Sequence, residues 1–496
     1  MQITFKRLGQ QSQELIFTRR IIILVLFLII FRLSVNDIFD PDVWWHLKTG
    51  EHILNTKTVP RQDIYSFTAH GKAWVAHEWL SEALMYGIYR AAGVGGLIIV
   101  FAVIITMAFV ILYLCCGGHP FITAFAILLG ALAVSPVLGA RPQMFTFLMA
   151  SIYMAVLGRY AESGNKRPLW LLVPLMVMWV NLHGGFALGL GLIGLWAVGV
   201  ALDDLSAKDH NRRRLERALP LLVVLAACLL VVSLNPNGMR MYAYPFETLT
   251  SRTMQTHLHE WQSPNFQETT FLPLAVLIFS LIAALALSER KVRLSDLLLL
   301  SVTGYGALRS GRNMPFFALV AVPLVARHAT SWVLAQPWGK WFARAEKYER
   351  GAQAALHVAL IIALVALNAV MLGRVISRQP EKERELFPAE AVAYMRANRL
   401  PDPVFNRYDW GGYLIWRLYP DYRVYIDGRA DVYGDAFLEE YVKTVSGQYG
   451  WKAPFDRFGI RTVIIGAKGP LASLLREDKS WKNVFEDSRA IVFVKE

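Results

Sequence analysis

Apolar segments alternate with short polar loops from residue 20 to residue 376, and this alternation dominates the sequence. A membrane-spanning helix needs about 20 mostly apolar residues. Segments close to that length lie at residues 20–38, 93–114, 120–138, 143–158, 168–182, 185–203, 218–234, 270–288, 294–309, 312–334 and 353–376. The pattern therefore predicts an α-helical polytopic membrane protein with about 11 transmembrane helices.

Composition and charge support this class and add an orientation. Hydrophobic residues make up 55% of the chain and charged residues only 18%, with a net charge of +13. Basic residues concentrate near the N-terminus and in alternate loops, which the positive-inside rule places in the cytoplasm. The sequence thus predicts the cytoplasmic membrane, contact with its lipids, a cytoplasmic N-terminus and no nucleic-acid partner. The predicted outer parts are residues 39–92, 135–142, 181–184, 235–269, 309–312 and everything after 377.

After residue 377 the composition becomes that of a soluble domain. We therefore divide the chain into a transmembrane domain, residues 1–376, with a first outer loop at 39–92, and an extracytoplasmic domain, residues 377–496. Helical stretches alternate there with β-type runs, which predicts a small α/β fold. The predicted strands lie at 404–405, 423–426, 462–465 and 491–494.

Two carboxylates, Asp40 and Asp42, follow the first apolar segment and flank Pro41. Proline favours an extended conformation in the residue before it, and residues two apart in an extended segment point the same way. Both carboxylates can then act on one hydroxyl as a general base, or bind one cation such as Mg²⁺ or Mn²⁺, with Glu78 completing the ligand set. The competing interpretation is a solvated turn that ends a helix.

The first outer loop also contains His46 and His77, which are candidates for positioning a substrate. A surface or structural role is the competing interpretation for each. Residues 74–90 predict a helix with one apolar face, which either lies flat on the membrane surface or packs as an ordinary helix of a soluble loop. The nearby tryptophans are typical interfacial anchors, with sugar stacking as the alternative.

Other outer loops contribute polar residues where apolar segments meet. Arg141 and His183 lie in tight turns, and Arg309 and Arg312 lie at a turn too short to form a soluble loop. Arginine offers several donors to phosphate oxygens, so we expect these residues to bind an anionic substrate, together with His183. Snorkelling towards lipid headgroups explains the last pair equally well.

The order of these features resembles the GT-C superfamily of membrane glycosyltransferases, which use polyprenyl-phosphate-linked sugars, and bacterial polytopic proteins of the same plan. The resemblance implies a GT-C-like fold, a lipid-linked sugar donor, a protein, lipid or glycan acceptor, and a functional acid at Asp40 or Asp42. A fainter similarity to the Trp-Trp-Asp-Tyr-Gly region of oligosaccharyltransferases lies at residues 408–413, where the order of Trp and Tyr differs. The motif that carries the main resemblance is Asp40-Pro41-Asp42-Val43-Trp44-Trp45-His46, with Trp74, His77, Glu78 and Trp79.

Glycosyl transfer at the outer membrane face is therefore the predicted function. The alternative from another class is a polytopic transporter or flippase of lipid-linked or small polar substrates. Transporters often contain internal repeats and polar residues at mid-membrane depth. This sequence has no fixed-period repeat, and its polar residues gather at the predicted outer edge, which favours the enzyme. A non-catalytic scaffold would leave the Asp-Pro-Asp turn without a role.

Overall fold

The computed structural model describes residues 21–206, 216–251, 255–256, 259–339 and 351–496. Long helices form most of this part of the chain, and a small sheet lies near its C-terminal end. The helices are α1 (Ile21–Ser34), α2 (Val43–Thr56), α3 (Trp79–Cys115), α4 (Pro120–Val134), α5 (Gln143–Ser163), α6 (Leu172–Leu182), α7 (Phe186–Ser206), α8 (Leu219–Val231), α9 (Arg240–Thr250), α10 (Leu272–Leu287), α11 (Leu294–Arg309), α12 (Met314–Ala335), α13 (Gly351–Leu386), α14 (Ala389–Asn398), α15 (Gly411–Leu418), α16 (Ala430–Tyr433), α17 (Asp435–Val445), α18 (Ala453–Arg457) and α19 (Pro470–Glu477). The strands are β1 (Val404–Asn406), β2 (Thr462–Gly466), β3 (Trp481–Glu486) and β4 (Ala490–Lys495).

Seven helical segments of the described chain are long and apolar enough to cross a membrane. Three shorter apolar segments, Ile21–Ser34, Arg167–Leu182 and Leu219–Leu234, and helix α11 account for the remaining predicted segments. The multi-pass architecture is therefore confirmed, while the number of helices that cross the membrane stays a prediction. The seven long segments are Trp79–Cys115, Pro120–Val137, Gln143–Ser163, Phe186–Asp204, Thr269–Leu287, Gly311–Ala335 and Ala355–Leu386.

Helix α3 differs from the helix predicted over residues 74–90. It begins at Trp79 and continues into the first long apolar segment, with a kink at Gly93, where φ is 60° and glycine avoids the strain of a side chain. The predicted start at residue 74 is wrong, whereas the predicted end at residue 90 lies close to the break at Gly93. The chain around Trp74 is not helical, because Ala73 forms a bridge with Gln62 and the Trp74 N–H donates to the Arg61 carbonyl at 2.9 Å. His77 and Glu78 then form a turn that leads into the helix.

The C-terminal part of the chain is the small α/β domain that the sequence predicts. Its four strands lie in the order β1-β2-β4-β3, with β1 and β2 parallel and the other neighbours antiparallel. Phe405, Ile464 and Phe493 are fully buried in its core. The predicted domain boundary at residue 376 falls inside α13, and Gln379 Oε1 accepts the backbone N–H of Ile38 at 3.1 Å.

The run 423–426 is not a strand of this sheet, contrary to the prediction. Val424 pairs instead with the first outer loop: its N–H donates to the Tyr65 carbonyl, and its carbonyl accepts the N–H of Phe67, both at 3.1 Å. The apolar pattern indicated an extended segment correctly, but the pairing partner lies far away in sequence. Because these contacts are direct, the first outer loop and the C-terminal domain lie on the same side of the membrane.

A buried ion cluster fixes this contact. Arg429 Nη2 lies 2.7 Å from Asp63 Oδ1 of the loop and 2.7 Å from Asp427 Oδ2 of the domain, and Arg429 Nε donates to Asp427 Oδ1 at 2.7 Å. The guanidinium lies 5.1 Å from the centre of the Tyr65 ring and 4.6 Å from that of Trp74. The three charged side chains are at most 1% exposed. Charges removed from water are stable only when they are well paired, so this cluster depends on all three.

Candidate active site

The two carboxylates of the Asp-Pro-Asp turn have different partners. Asp40 Oδ2 lies 2.7 Å from Arg141 Nε, and Asp40 Oδ1 accepts the backbone N–H of Asp42 at 2.9 Å. Asp42 Oδ1 accepts the indole N–H of Trp45 at 3.0 Å. Asp40 is therefore engaged through both oxygens and held by a positive charge, whereas the Asp42 carboxylate is held by a neutral donor.

Arg141 also belongs to an ion network that reaches a second arginine. Its Nη2 lies 2.7 Å from Glu260 Oε2, and Arg312 Nη1 lies 3.2 Å from Glu260 Oε1. Arg312 stacks on Trp261, with 4.7 Å between the guanidinium carbon and the ring centre. The side chains of Arg141, Glu260 and Arg312 are 14%, 29% and 26% exposed, so the network borders solvent. Two arginines predicted from separate loops are thus joined to Asp40.

Glu78 is the centre of a second cluster. Its Oε1 lies 3.2 Å from Nε2 of His77 and 3.2 Å from Nε2 of His183. Its Oε2 lies 3.5 Å from Nε2 of His46, whose Nδ1 faces Glu82 Oε1 at 3.3 Å. Glu78 and Glu82 are one helical turn apart and therefore face His46 together. The three histidines named from the sequence converge on one carboxylate.

The neighbours of His183 determine where its proton lies. The backbone N–H of Gly185 donates to His183 Nδ1 at 2.8 Å, and Thr146 Oγ1 lies 2.8 Å from the same nitrogen. Because Thr146 already accepts the indole N–H of Trp179 at 2.9 Å, its own proton is available to Nδ1. Nδ1 is therefore an acceptor, and neutral His183 carries its proton on Nε2, facing Glu78.

Burial and charge move the pKa values of these groups in different directions. Burial, opposed by the charge of Glu78, lowers the pKa of His183 to about 3, so this residue is neutral. Burial disfavours the charged forms of His77 and Glu78, but their attraction outweighs it, raises the pKa of His77 and lowers that of Glu78. Burial and the neighbouring charge of Asp40 raise the pKa of Asp42 to about 7. Asp42 therefore titrates near neutral pH.

Backbone of the C-terminal domain closes one side of Asp42. A Cβ atom at Gly428 would lie 1.8 Å from Asp42 Oδ1, and a Cβ atom at Gly412 would lie 2.6 Å from the Pro41 carbonyl oxygen. Glycine is required for so close an approach. The Tyr408 hydroxyl donates to the Gly428 carbonyl at 3.2 Å and so supports this wall. The site is therefore built by the first outer loop and the C-terminal domain together.

Arg309 lies apart from the arginine network. Its side chain is exposed, and its Nη2 donates to Gln255 Oε1 at 3.0 Å. The structure thus separates two arginines that the sequence presents as a pair, because Arg312 joins the site and Arg309 faces solvent. A phosphate contact by Arg309 stays a prediction.

The predicted metal ligands have other partners. Asp40 faces Arg141, Asp42 accepts from Trp45, and the oxygens of Glu78 face histidines. Within the described ranges, no group of three or more His, Cys, Asp or Glu residues could hold a metal ion. The arrangement as it stands does not fit a bound Mg²⁺ or Mn²⁺, and no chemical step below depends on one.

The candidate site predicted from the sequence leaves out residues that contact these clusters. Glu260 lies in a long outer loop, and its acidic charge beside several outer arginines was the available signal. Its contact with both arginines depends on the tertiary fold. Thr146 and Tyr244, whose hydroxyl lies 3.1 Å from His77 Nε2, occur in mostly apolar surroundings and give no local signal.

No protein-family model matches this chain, and no curated protein matches it. Solved structures do match. The archaeal oligosaccharyltransferase AglB from Archaeoglobus fulgidus, in complex with an inhibitory peptide and a dolichol-phosphate, is 12% identical, with a TM-score of 0.59 over 90% of this chain and 69% of that chain. The Archaeoglobus fulgidus oligosaccharyltransferase in complex with zinc and sulfate is 12% identical, with a TM-score of 0.55 over 90% and 68%. ArnT from Cupriavidus metallidurans bound to undecaprenyl phosphate is 14% identical, with a TM-score of 0.53 over 96% and 97%.

At these identities the likeness shows the fold. The chain has the fold of these membrane proteins, which confirms the predicted fold of apolar helices with a small C-terminal α/β domain. The match with ArnT extends over nearly the full length of both chains. It therefore includes the C-terminal domain as well as the membrane helices.

Proposed function

We propose that this protein is a glycosyltransferase that moves a sugar or glycan from a polyprenyl-phosphate-type lipid donor to an acceptor at the outer face of the cytoplasmic membrane. The observation that carries the proposal is the site itself. Two arginines, Arg141 and Arg312, lie beside a two-carboxylate turn at the border of the membrane helices and are joined by one glutamate. The fold shared with AglB, solved with dolichol-phosphate, and ArnT, solved with undecaprenyl phosphate, supports it.

Asp42 is the general base in this proposal. A base works best when its pKa lies near the working pH, and the pKa of Asp42 is raised to about 7. Asp42 takes the proton of the acceptor hydroxyl while that oxygen forms a bond to the anomeric carbon. The bond from that carbon to the phosphate oxygen breaks, and the lipid phosphate leaves with the bonding electrons. Asp40 keeps Arg141 in place through the 2.7 Å ion pair.

Arg141 and Arg312 bind the departing phosphate. Negative charge on that group grows as the sugar leaves, so charge-assisted bonds from both guanidinium groups strengthen in the transition state. The wall formed by Gly428 limits the space around Asp42 and restricts the approach of the acceptor. Transfer therefore depends on the position of the acceptor beside Asp42 and on the positive charges of the two arginines.

The histidines around Glu78 have a positioning role. His46 is enclosed between Glu78 and Glu82 with 6% of its side chain exposed, and it keeps the start of α3 against α2. His77 is 14% exposed and retains the access that a substrate contact needs. The predicted requirement for a divalent cation is tested by measuring transfer in the presence of EDTA.

Orientation in the membrane is a second part of the proposal. The N-terminus is cytoplasmic and the C-terminal domain lies outside, because the basic loops alternate with the loops that build the site. Reporter fusions after residues 210 and 400 should report opposite sides of the membrane. Reports from the same side would contradict this orientation.

The decisive experiment uses the purified protein in liposomes with undecaprenyl-phosphate-linked sugars. Release of free undecaprenyl phosphate together with a glycosylated acceptor supports the proposal, and Asp42→Asn should reduce that rate more than about a hundredfold. Asp409→Asn is the matched control, because Asp409 is an exposed aspartate of the C-terminal domain paired with Arg407. Movement of the intact donor across the bilayer without cleavage would favour the transporter instead.

A further inference from the structure

Glu260 occupies the position where a phosphate group would satisfy both arginines. One of its oxygens lies 2.7 Å from Arg141 Nη2, and the other lies 3.2 Å from Arg312 Nη1. A single carboxylate thus bridges two guanidinium groups from different loops. Its side chain is 29% exposed, so it can leave this position without crossing a packed core.

The backbone at Glu260 is fixed, so only the side chain has to move. The Glu260 carbonyl accepts the Ser310 hydroxyl at 2.9 Å, and the Gln262 carbonyl accepts the N–H of Gly311 at 3.0 Å. Arg312 stacks on the neighbouring Trp261. These contacts keep the carboxylate within reach of both arginines, and rotation about its side-chain bonds is enough to release them.

Charge favours an exchange of one anion for another. In the free protein, Arg141 and Arg312 are balanced by Asp40 and Glu260, which leaves the four groups neutral. The two arginines and burial act in opposite directions on Glu260, and the arginines prevail and lower its pKa to about 2. Glu260 is therefore an anion at neutral pH. A phosphodiester carries one negative charge, so it can replace this carboxylate without unbalancing the site.

We propose that Glu260 is an internal competitor that occupies the donor-phosphate subsite in the free protein and is displaced by the phosphate at the end of a polyprenyl chain. This inference rests on the proposed function. An uncharged lipid gains nothing from the two arginines and does not displace Glu260. The residue therefore selects donors that carry a phosphate, at some cost in affinity.

The same exchange assists product release. When the sugar leaves, the free lipid phosphate carries more negative charge and binds the arginines more tightly. Return of the Glu260 carboxylate supplies a replacement partner and lowers the cost of dissociation. Glu260→Gln should therefore slow multiple turnover more than it slows a single turnover.

Binding to Glu260→Gln tests the inference directly, because the amide keeps the shape and loses the charge. Undecaprenyl phosphate should bind this variant at least about tenfold more tightly than the wild type, as expected when a charged competitor is removed. Inorganic phosphate should gain by a similar factor from a weaker starting affinity, and undecaprenol should gain nothing. Glu268→Gln is the control, because Glu268 follows in the same loop and contacts Asn265 instead of an arginine.

Two results would overturn the inference. One is equal or weaker binding of both phosphate ligands by Glu260→Gln, since a competitor cannot be removed without a gain. The other is an equal gain for undecaprenol, since the effect would then be independent of charge. If the variant does not fold, a structure of the wild-type protein with undecaprenyl phosphate decides, because Glu260 must no longer contact Arg141 and Arg312. Lack of sugar transfer alongside the predicted binding gain would overturn the proposed enzyme activity and leave this exchange intact.

Discussion

Two arginines in this protein each lie between two carboxylates, and the two sites differ in their access to solvent. Arg429 pairs with Asp63 and Asp427, and all three side chains are at most 1% exposed. Arg141 pairs with Asp40 and Glu260 at the same 2.7 Å distances, but it is 14% exposed and Glu260 is 29% exposed. Both arginines form ion pairs with two carboxylates, so the two sites differ mainly in how far they are buried.

Burial determines whether a partner can be exchanged. Asp63 is also held by the backbone N–H groups of Tyr65 and Ser66, at 3.2 and 3.0 Å, and the Tyr433 hydroxyl donates to Asp427 at 2.6 Å. An incoming anion has no route from solvent to such a cluster. Around Arg141, one carboxylate borders solvent, so another anion can take its place. The buried cluster around Arg429 therefore suits a permanent contact between the loop and the C-terminal domain. The network around Arg141 suits the binding of an anionic ligand.

The largest expected effect comes from Arg429→Met. Removal of the only cation of the described Asp63–Arg429–Asp427 cluster leaves two buried carboxylates without a balancing charge, which costs about 3–5 kcal/mol of unfolding free energy. Chemical denaturation of the detergent-purified protein measures this. Arg407→Met removes an exposed arginine paired with Asp409 and should change stability by less than about 1 kcal/mol. Similar losses in both variants would erase the distinction between buried and exposed clusters.

A second test adds one methyl group beside Asp42. Gly428→Ala would place a Cβ atom 1.8 Å from the Asp42 carboxylate, so the carboxylate or the domain must shift. We expect a fall in transfer rate of about tenfold or more, with about 1–3 kcal/mol lost from stability by overpacking. Gly158→Ala is the control, because no atom lies within 4 Å of the added Cβ. A wild-type rate in Gly428→Ala would show that the wall does not position Asp42.

The third test separates the two neighbouring arginines of one turn. Arg312→Lys keeps the charge and loses the planar fork, so we expect donor binding to weaken about tenfold. Arg309 is exposed and bonded to Gln255, so Arg309→Lys should bind donor like the wild type. Equal effects of both substitutions, measured with undecaprenyl phosphate, would contradict the placement of only Arg312 in the exchangeable site.

The smallest expected effect is a pH dependence. The transfer rate should rise as Asp42 loses its proton, and at pH 7 it should be about half of the plateau reached above pH 8. In the buried cluster, Arg429 outweighs burial and lowers the pKa of Asp427, so that carboxylate stays charged over this range. The residual rate of Asp42→Asn should lack the inflection. Persistence of the inflection in that variant would assign it to another group.

The membrane plan was predictable because it depends on local properties. A run of apolar residues long enough to span a bilayer is visible without knowledge of its neighbours, and the charge of the loops orients each run. This bias correctly placed Asp40, Arg141 and Arg312 at one end of the bundle, where the structure joins them. The run 423–426 shows the limit, since its pattern indicated an extended segment and its partner was the first outer loop.

Only part of the site could be predicted from the sequence, because the rest depends on tertiary contacts. Asp42 was a candidate from its type and position, but its raised pKa depends on burial and on the charge of Asp40. The sequence does not distinguish Glu260 from the other acidic residues of the outer loops. Its bridge between Arg141 and Arg312 forms only when their loops fold around it. The role of Gly428 could not be predicted from the sequence, because its close approach to Asp42 depends on the tertiary fold.

The contact between Gly428 and Asp42 also sets an order of events in biosynthesis. The Asp-Pro-Asp turn leaves the ribosome well before Gly428 does. A truncated or stalled chain therefore has the acid and the arginines but no wall around them. The complete pocket exists only after the C-terminal domain has docked against the first outer loop. An unfinished polypeptide therefore lacks the closed site on which the proposed transfer depends.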